Sequence, residues 1–123
     1  ILINDLNDIY NYLSDKITTI FIDEANFMKG NIDVLIDLSI NKDLDIFIAG
    51  LNLTSELKPF GIMPEIMAIS DEIVLLHASC NDCNRDASYT YYNGSKDSDI
   101  LVGNDNYIAL CPKCLRKRLT LNK

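Results

Sequence analysis

The chain has 123 residues, 48% of them hydrophobic, which suits one domain or one small domain with an appendage. Eighteen acidic residues against 11 basic ones give a net charge of −7, which argues against a general nucleic-acid binder, because such proteins need a basic surface. No apolar run approaches the ~20 residues of a membrane span.

The opening stretch ILINDLNDIY is acidic and amphipathic, unlike a signal peptide. It lacks an initiator Met, so residues are expected upstream of Ile1. Ile3, Leu6, Ile9, Tyr10 and Leu13 recur at helical spacing and predict a helix over 3–14. Residues 17–22 (ITTIFI) are β-branched and nearly all apolar, the composition of a buried strand. Ile32, Leu35, Ile36, Ser39 and Ile40 mark one face of a second helix over 31–41, and 45–49 (DIFIA) reads as a second buried strand. Strand, helix, strand in this span is a βαβ unit, with a parallel pair and a right-handed crossover. Residues 50–58 read as a loop and Pro59-Phe60-Gly61 as a turn. Pro64 opens a short helix through Ile69, and 72–76 (EIVLL) is a third strand. The fold class is α/β, with residues 1–78 as part of a layered domain.

The character changes near Cys80. Residues 80–114 are rich in Asn, Asp, Ser and Tyr, with short β-like pieces at 88–92 and 100–102 and a hairpin signal at Asn93-Gly94. Such a segment buries little core, and a metal would supply the missing stability. Cys80 and Cys83 form one C-x2-C, Cys111 and Cys114 another, with 27 residues between the pairs. Two such turns complete a tetrahedron of thiolates, so zinc is expected in a closed, structural role. Two disulfides or four unrelated thiols are the alternatives. His77 reads as a strand-end residue rather than a ligand. Lys113, Arg116, Lys117, Arg118 and Lys123 read as a solvated basic end.

Asp23 and Glu24 follow the first strand directly, in IFIDEANF. An apolar strand running into Asp-Glu is the Walker-B pattern, where the Asp helps hold Mg²⁺ and the Glu takes a proton from a nucleophile. Ligands of open α/β sheets bind at this end of the strands. A helix N-cap is the plainer reading. The companion motif G-x-x-x-x-G-K-[ST] is not formed by the glycines at 30, 50, 61, 94 and 103.

Taken in order, IFIDEANF, AGLNLTSELKPFG, CNDCNRDASYTYY, VGNDNY and CPKC resemble the type II thymidine kinases, the family of cellular, bacterial and poxviral enzymes, over about residues 17–118. The resemblance implies a partial RecA-like P-loop domain over 1–78, a β-rich zinc-bound lasso over 79–118 and a tail over 119–123. It implies transfer of the ATP γ-phosphate to the 5′-hydroxyl of thymidine or deoxyuridine, with Mg²⁺, in nucleotide salvage, by a cytoplasmic homotetramer. Matched position by position, Asp23 serves the metal and Glu24 is the general base. Phe27 stacks on the base, and Leu51 and Phe60 wall the pocket. Thr90 lies near the thymine edge, Val102 and Gly103 offer backbone contacts, and Tyr107 sits beside the deoxyribose.

The chain departs from the family pattern in several places. Asn26 stands where Gln is usual, Met28 where a second Phe is common, and Asn52 in place of Asp. Ser55 replaces an aromatic, and VGNDNY is one Gly short. The phosphate-binding loop would lie upstream, with only 22 residues before Asp23 here. A nucleoside-binding module without catalysis, or a zinc ribbon using its basic tail on nucleic acid or protein, are the competing readings.

Overall fold

The computed structural model describes residues 1–94 and 106–121. Two compact units divide the chain: residues 1–52 with 59–73, and residues 53–58 with 74–123. No helix among the described residues is long and apolar enough to cross a membrane.

The first unit is built on two parallel strands, β1 (Thr19–Ile22) and β2 (Asp45–Ile48), paired from Thr19↔Asp45 to Ile22↔Ile48. The predicted parallel pair is therefore present, but it is buried on one face only. Side chains alternate across a strand. Ile20, Ile22, Ile46 and Ile48 face the core, while Phe21 and Phe47 stack on the opposite face at 5.1 Å and stay 77% and 57% exposed.

Helix α1 (Asp33–Ile36) runs on into a π-helical turn, Asp37–Asn41, over the span predicted for one helix. Its inward face differs from the expected one. Val34, Leu35 and Leu38 are buried, while Ile36 and Ile40 are exposed. The wider π turn changes the angular spacing of the residues after Ile36, so a uniform 3.6-residue period misplaces them.

The first predicted helix is shorter and tighter, a 3₁₀ helix over Leu6–Tyr12. Asp5 caps it by accepting the Asn7 amide at 2.9 Å. Leu6 and Ile9, three apart, both face inward, as the eclipsed 3₁₀ spacing requires. The Leu6 amide donates to the Lys29 carbonyl and the Lys29 amide to that of Asn4, both at 2.9 Å, which ties this stretch to the chain beyond β1. Helix α2 (Met63–Ile69) starts with Pro in its first turn, as expected, and adds Met63 and Ile66 to the core.

Residues 72–76 form no strand, which corrects the third-strand expectation. An apolar run needs a hydrogen-bonding neighbour to become a strand, and none of the described strands pairs with it. Its Ile73, Val74, Leu75 and Leu76 are exposed.

The second unit contains two antiparallel pairs, β3 (Ala78–Ser79) with β4 (Asp86–Ala87) and β5 (Tyr89–Tyr92) with β6 (Tyr107–Leu110), followed by helix α3 (Pro112–Leu121). Asn93-Gly94 does not close a two-residue hairpin. Tyr92 pairs with Tyr107, and the Asn93 amide donates to the Asn106 carbonyl at 2.6 Å, so the connection is long. The β-like piece expected at 100–102 lies outside the described residues. Leu110, Ala87 and Leu115 form a small core with Cys80, Cys111 and Cys114.

Candidate functional site

The four cysteines come together in the second unit. Cys80 and Cys83 lie on the turn between β3 and β4. There the Cys80 amide donates to the Arg85 carbonyl at 2.7 Å, and Asn84 takes a left-handed backbone with φ 64°. Cys111 sits between β6 and α3, and Cys114 in the first turn of α3. All four sulfurs lie within 4.8 Å of one another, and Cys83 and Cys111 are 3.7 Å apart.

Four metal–sulfur bonds of ~2.3 Å in a tetrahedron put sulfurs about 3.8 Å apart. The cysteines are thus placed to bind one metal ion. All four are free thiols, an arrangement that suits one shared ion.

The peptide framework already favours thiolates at two positions. Burial pushes the Cys80 thiol up, but the backbone N–H groups of Cys111, Asp82 and Cys83 outweigh it and bring it down to about 6. The Cys114 amide, 3.4 Å from the Cys111 sulfur, leads in lowering Cys111. Cys114 goes the other way, raised to about 12 by burial and then by its neighbouring cysteines. A cation among these sulfurs would take the place of the proton that Cys114 otherwise keeps. His77 stands apart from the quartet, with Nδ1 3.0 Å from the Ser88 hydroxyl.

In the first unit, Asp23 and Glu24 sit exposed where β1 ends. Asp23 accepts the Glu24 amide at 2.8 Å, and Glu24 adopts φ 53°, ψ 41°. That left-handed backbone is costly for a residue with a Cβ. It turns the chain abruptly from the strand into the short 3₁₀ turn Ala25–Phe27. The turn is tied to β2, as the Ala25 amide donates to the Ala49 carbonyl at 3.0 Å.

Phe27 and Phe60 meet here edge to face, with ring centroids 5.3 Å apart. Leu51, 52% exposed, donates its amide to the Asn26 side-chain oxygen at 3.1 Å. Asp23, Glu24, Phe27, Leu51 and Phe60 therefore belong to one unit. Thr90 and Tyr107 belong to the other. Thr90 pairs with Ala109 on β5–β6, and Tyr107 packs against Tyr92 at 5.2 Å. Val102 and Gly103 lie outside the described residues.

Two residues stand out that spacing alone did not single out. Asn26 is 4% exposed and holds the Leu51 amide. Gly50 and Gly61 press on it so closely that a Cβ on Gly61 would come within 2.5 Å of its carbonyl oxygen. Arg118, taken for part of a solvated tail, instead chelates Asp82 inside the first Cys turn. Its partner lies far off in sequence, so local charge counting had no means to find it.

The thymidine kinase family model matches residues 1–115. Among curated proteins, the chain is similar to the thymidine kinase of Porphyromonas gingivalis, 36% identical over 107 residues, covering 85% of this chain and 52% of that protein. The thymidine kinase of Mycoplasma mobile is 33% identical over 115 residues, 93% of this chain and 58% of the relative. That of Pseudothermotoga lettingae is 31% identical over 117 residues, 94% and 63%. The chain thus spans little more than half the length of the curated relatives it matches. With the family model covering both the Asp23-Glu24 turn and the cysteine quartet, the chain belongs to the thymidine kinase family.

Proposed function

We propose that this chain is the part of a thymidine kinase that runs from the Walker-B strand through the zinc-bound lasso. The complete enzyme moves the γ-phosphate of ATP to the 5′-hydroxyl of thymidine or deoxyuridine. The observation that carries this reading is the single family match over residues 1–115, which takes in both the acidic turn and the four cysteines. In this reading residues 1–78 are a remnant of a RecA-like nucleotide domain and 79–118 the lasso.

In the proposed mechanism, Glu24 accepts the proton of the 5′-hydroxyl as that oxygen attacks the γ-phosphorus. The bond from phosphorus to the β–γ bridging oxygen breaks, and ADP leaves with the electron pair. Asp23 would help hold Mg²⁺, which would supply neutralisation of the phosphate charge. Phe27 stacks on the base between Leu51 and Phe60. Thr90 and the backbone of Val102 and Gly103 read the thymine, and Tyr107 flanks the sugar. Zinc held by Cys80, Cys83, Cys111 and Cys114 has no open position, so its contribution is structural. The exposed carboxylates, and the strained backbone at Glu24, suit a site where local strain is tolerated for function. The enzyme is proposed to be a cytoplasmic homotetramer.

The test is a phosphoryl-transfer assay on the whole protein that contains this chain, with thymidine and Mg-ATP, beside its Glu24→Gln variant. Thymidine monophosphate from the parent and its loss in the variant support the reading. A parent that phosphorylates neither thymidine nor deoxyuridine overturns it. A second reading is a nucleoside-binding module without catalysis. Thymidine binding without ATP binding would distinguish it.

A further inference from the structure

We infer that Arg118 is a positioning residue of the metal centre: it grips Asp82, the residue between Cys80 and Cys83, and so holds the first cysteine turn against the helix that carries Cys114. The inference rests on the metal reading of the quartet.

The geometry is a two-point chelate. Arg118 Nε donates to Asp82 Oδ2 at 2.9 Å and Nη2 to Oδ1 at 2.7 Å, the fork-to-fork arrangement that gives guanidinium–carboxylate pairs their directionality. Nη1 donates to the Asn93 side-chain oxygen at 3.3 Å, and the guanidinium lies 5.6 Å from the centre of the Tyr91 ring. One side chain therefore joins the first cysteine turn, strand β5, the residue after it, and α3.

Sequence spacing makes this a lever on the metal. Arg118 follows Cys114 by four positions on α3, so the two lie on one side of the helix, one turn apart. On the other side of the pair, Asp82 sits between Cys80 and Cys83, in the turn where the Asn84 amide donates to the Cys80 carbonyl at 2.9 Å. Fixing the Asp82 carboxylate fixes the turn that presents both sulfurs. The chain runs from guanidinium to carboxylate to the cysteine turn, an outer layer of the kind that tunes metal sites. Four thiolates around a divalent ion leave two negative charges, which a neighbouring cation offsets.

Shelter separates this pair from ordinary surface charge. The side chains of Arg118 and Asp82 are 28% and 30% exposed at 2.7 Å, whereas the Lys58–Glu56 pair is 75% and 78% exposed at 4.0 Å. The latter is the kind that contributes almost nothing. Lysine at 118 would supply charge without the fork.

The test loads the reduced chain with zinc and follows its transfer to a chromophoric chelator. Arg118→Ala is expected to release zinc on the order of 10-fold faster, within the range of such outer-layer losses. Arg118→Lys should stay close to Ala, and Asp82→Asn should match it without any change to the helix. The double variant should be no faster than either single one, because both break the same link. Lys117→Ala, which removes a charge from the same helix, should release zinc at the parent rate. Parent-like release from Arg118→Ala and Asp82→Asn, additive effects in the double variant, or equal acceleration by Lys117→Ala would each overturn the positioning role. A parent chain that takes up no zinc would overturn the metal reading itself, and this role with it.

Discussion

Phe27 and Phe60 meet edge to face with ring planes at 84°, yet Phe27 remains 64% exposed. Phe60 thus steadies a ring that remains largely open to solvent. If that ring stacks on the thymine base, Phe27→Ala should weaken thymidine binding by about 1–3 kcal/mol, roughly 5- to 150-fold. Because Phe27 contributes little to the core, its loss should leave the melting temperature almost unchanged. Titration of thymidine into the whole protein, beside a thermal melt, reads both. Equal affinity in parent and variant would remove Phe27 from the pocket.

The proposed general base predicts a different pattern. Glu24→Gln should lower kcat by ~10²–10⁴ while leaving nucleoside affinity close to the parent value. The 123-residue chain by itself should give no turnover with thymidine and Mg-ATP, because a phosphate cradle supplies much of the charge stabilisation of phosphoryl transfer. Product formation by the isolated chain would show that expectation wrong.

Gly61 has φ +52°, and a Cβ there would sit 2.5 Å from the Asn26 carbonyl oxygen. Both the backbone angle and the contact oppose a side chain. Gly61→Ala should destabilise the first unit by about 1–3 kcal/mol. Chemical denaturation followed by a probe in that unit measures it. An unchanged midpoint would mean that the turn relaxes freely.

The parallel pair was legible because β-branched apolar residues fill both strands and an acidic or glycine residue follows each, at Asp23 and Gly50. The cysteine quartet was legible because ligand spacing is a local property of the chain. What escaped depended on contacts that spacing does not carry. Residues 72–76 have strand composition but no partner. The inward face of α1 is set by Val34 and Leu35 rather than Ile36, a choice that apolar spacing alone leaves open. Asn26 is polar and nevertheless buried, since its oxygen takes an amide from the loop after β2. Arg118 has the composition of a solvated tail and the contacts of a clamp.

A pH dependence follows from Tyr10 and Asp37. The Tyr10 hydroxyl donates to Asp37 Oδ2 at 2.5 Å, and Asn41 donates to the other oxygen at 2.8 Å. Tyr10, then Asn41, hold the Asp37 carboxyl below its usual 3.8. The same bond raises Tyr10 above 10.0. A depressed carboxyl contributes stability above pH 3.8 that is lost as pH falls through its folded value. A raised phenol contributes below pH 10.0 and loses that contribution as pH rises through its folded value. Parent and Tyr10→Phe should therefore differ most near neutral pH and converge at both extremes. A difference that stays constant across the range would exclude the ionised pair as its source.

Metal analysis after reducing purification should return one zinc per chain. Cys83→Ser should lose zinc and, with it, the protection of the β5–β6 amides against hydrogen exchange, since a small β-rich unit depends on its metal for stability. The first unit has its own apolar core, so its amides should exchange as before. Loss of protection in both units would instead make the whole chain dependent on the ion.

Glu24 has one more implication. In its left-handed backbone a glycine would relieve roughly 1–2 kcal/mol. Glu24→Gly is therefore a substitution that thermal screening would rank as neutral or improving, at a position where the proposed chemistry demands a carboxylate. A library sorted for solubility or melting temperature would drift toward glycine at position 24 and discard the proposed base. Selection for the proposed phosphoryl transfer would hold the glutamate in place.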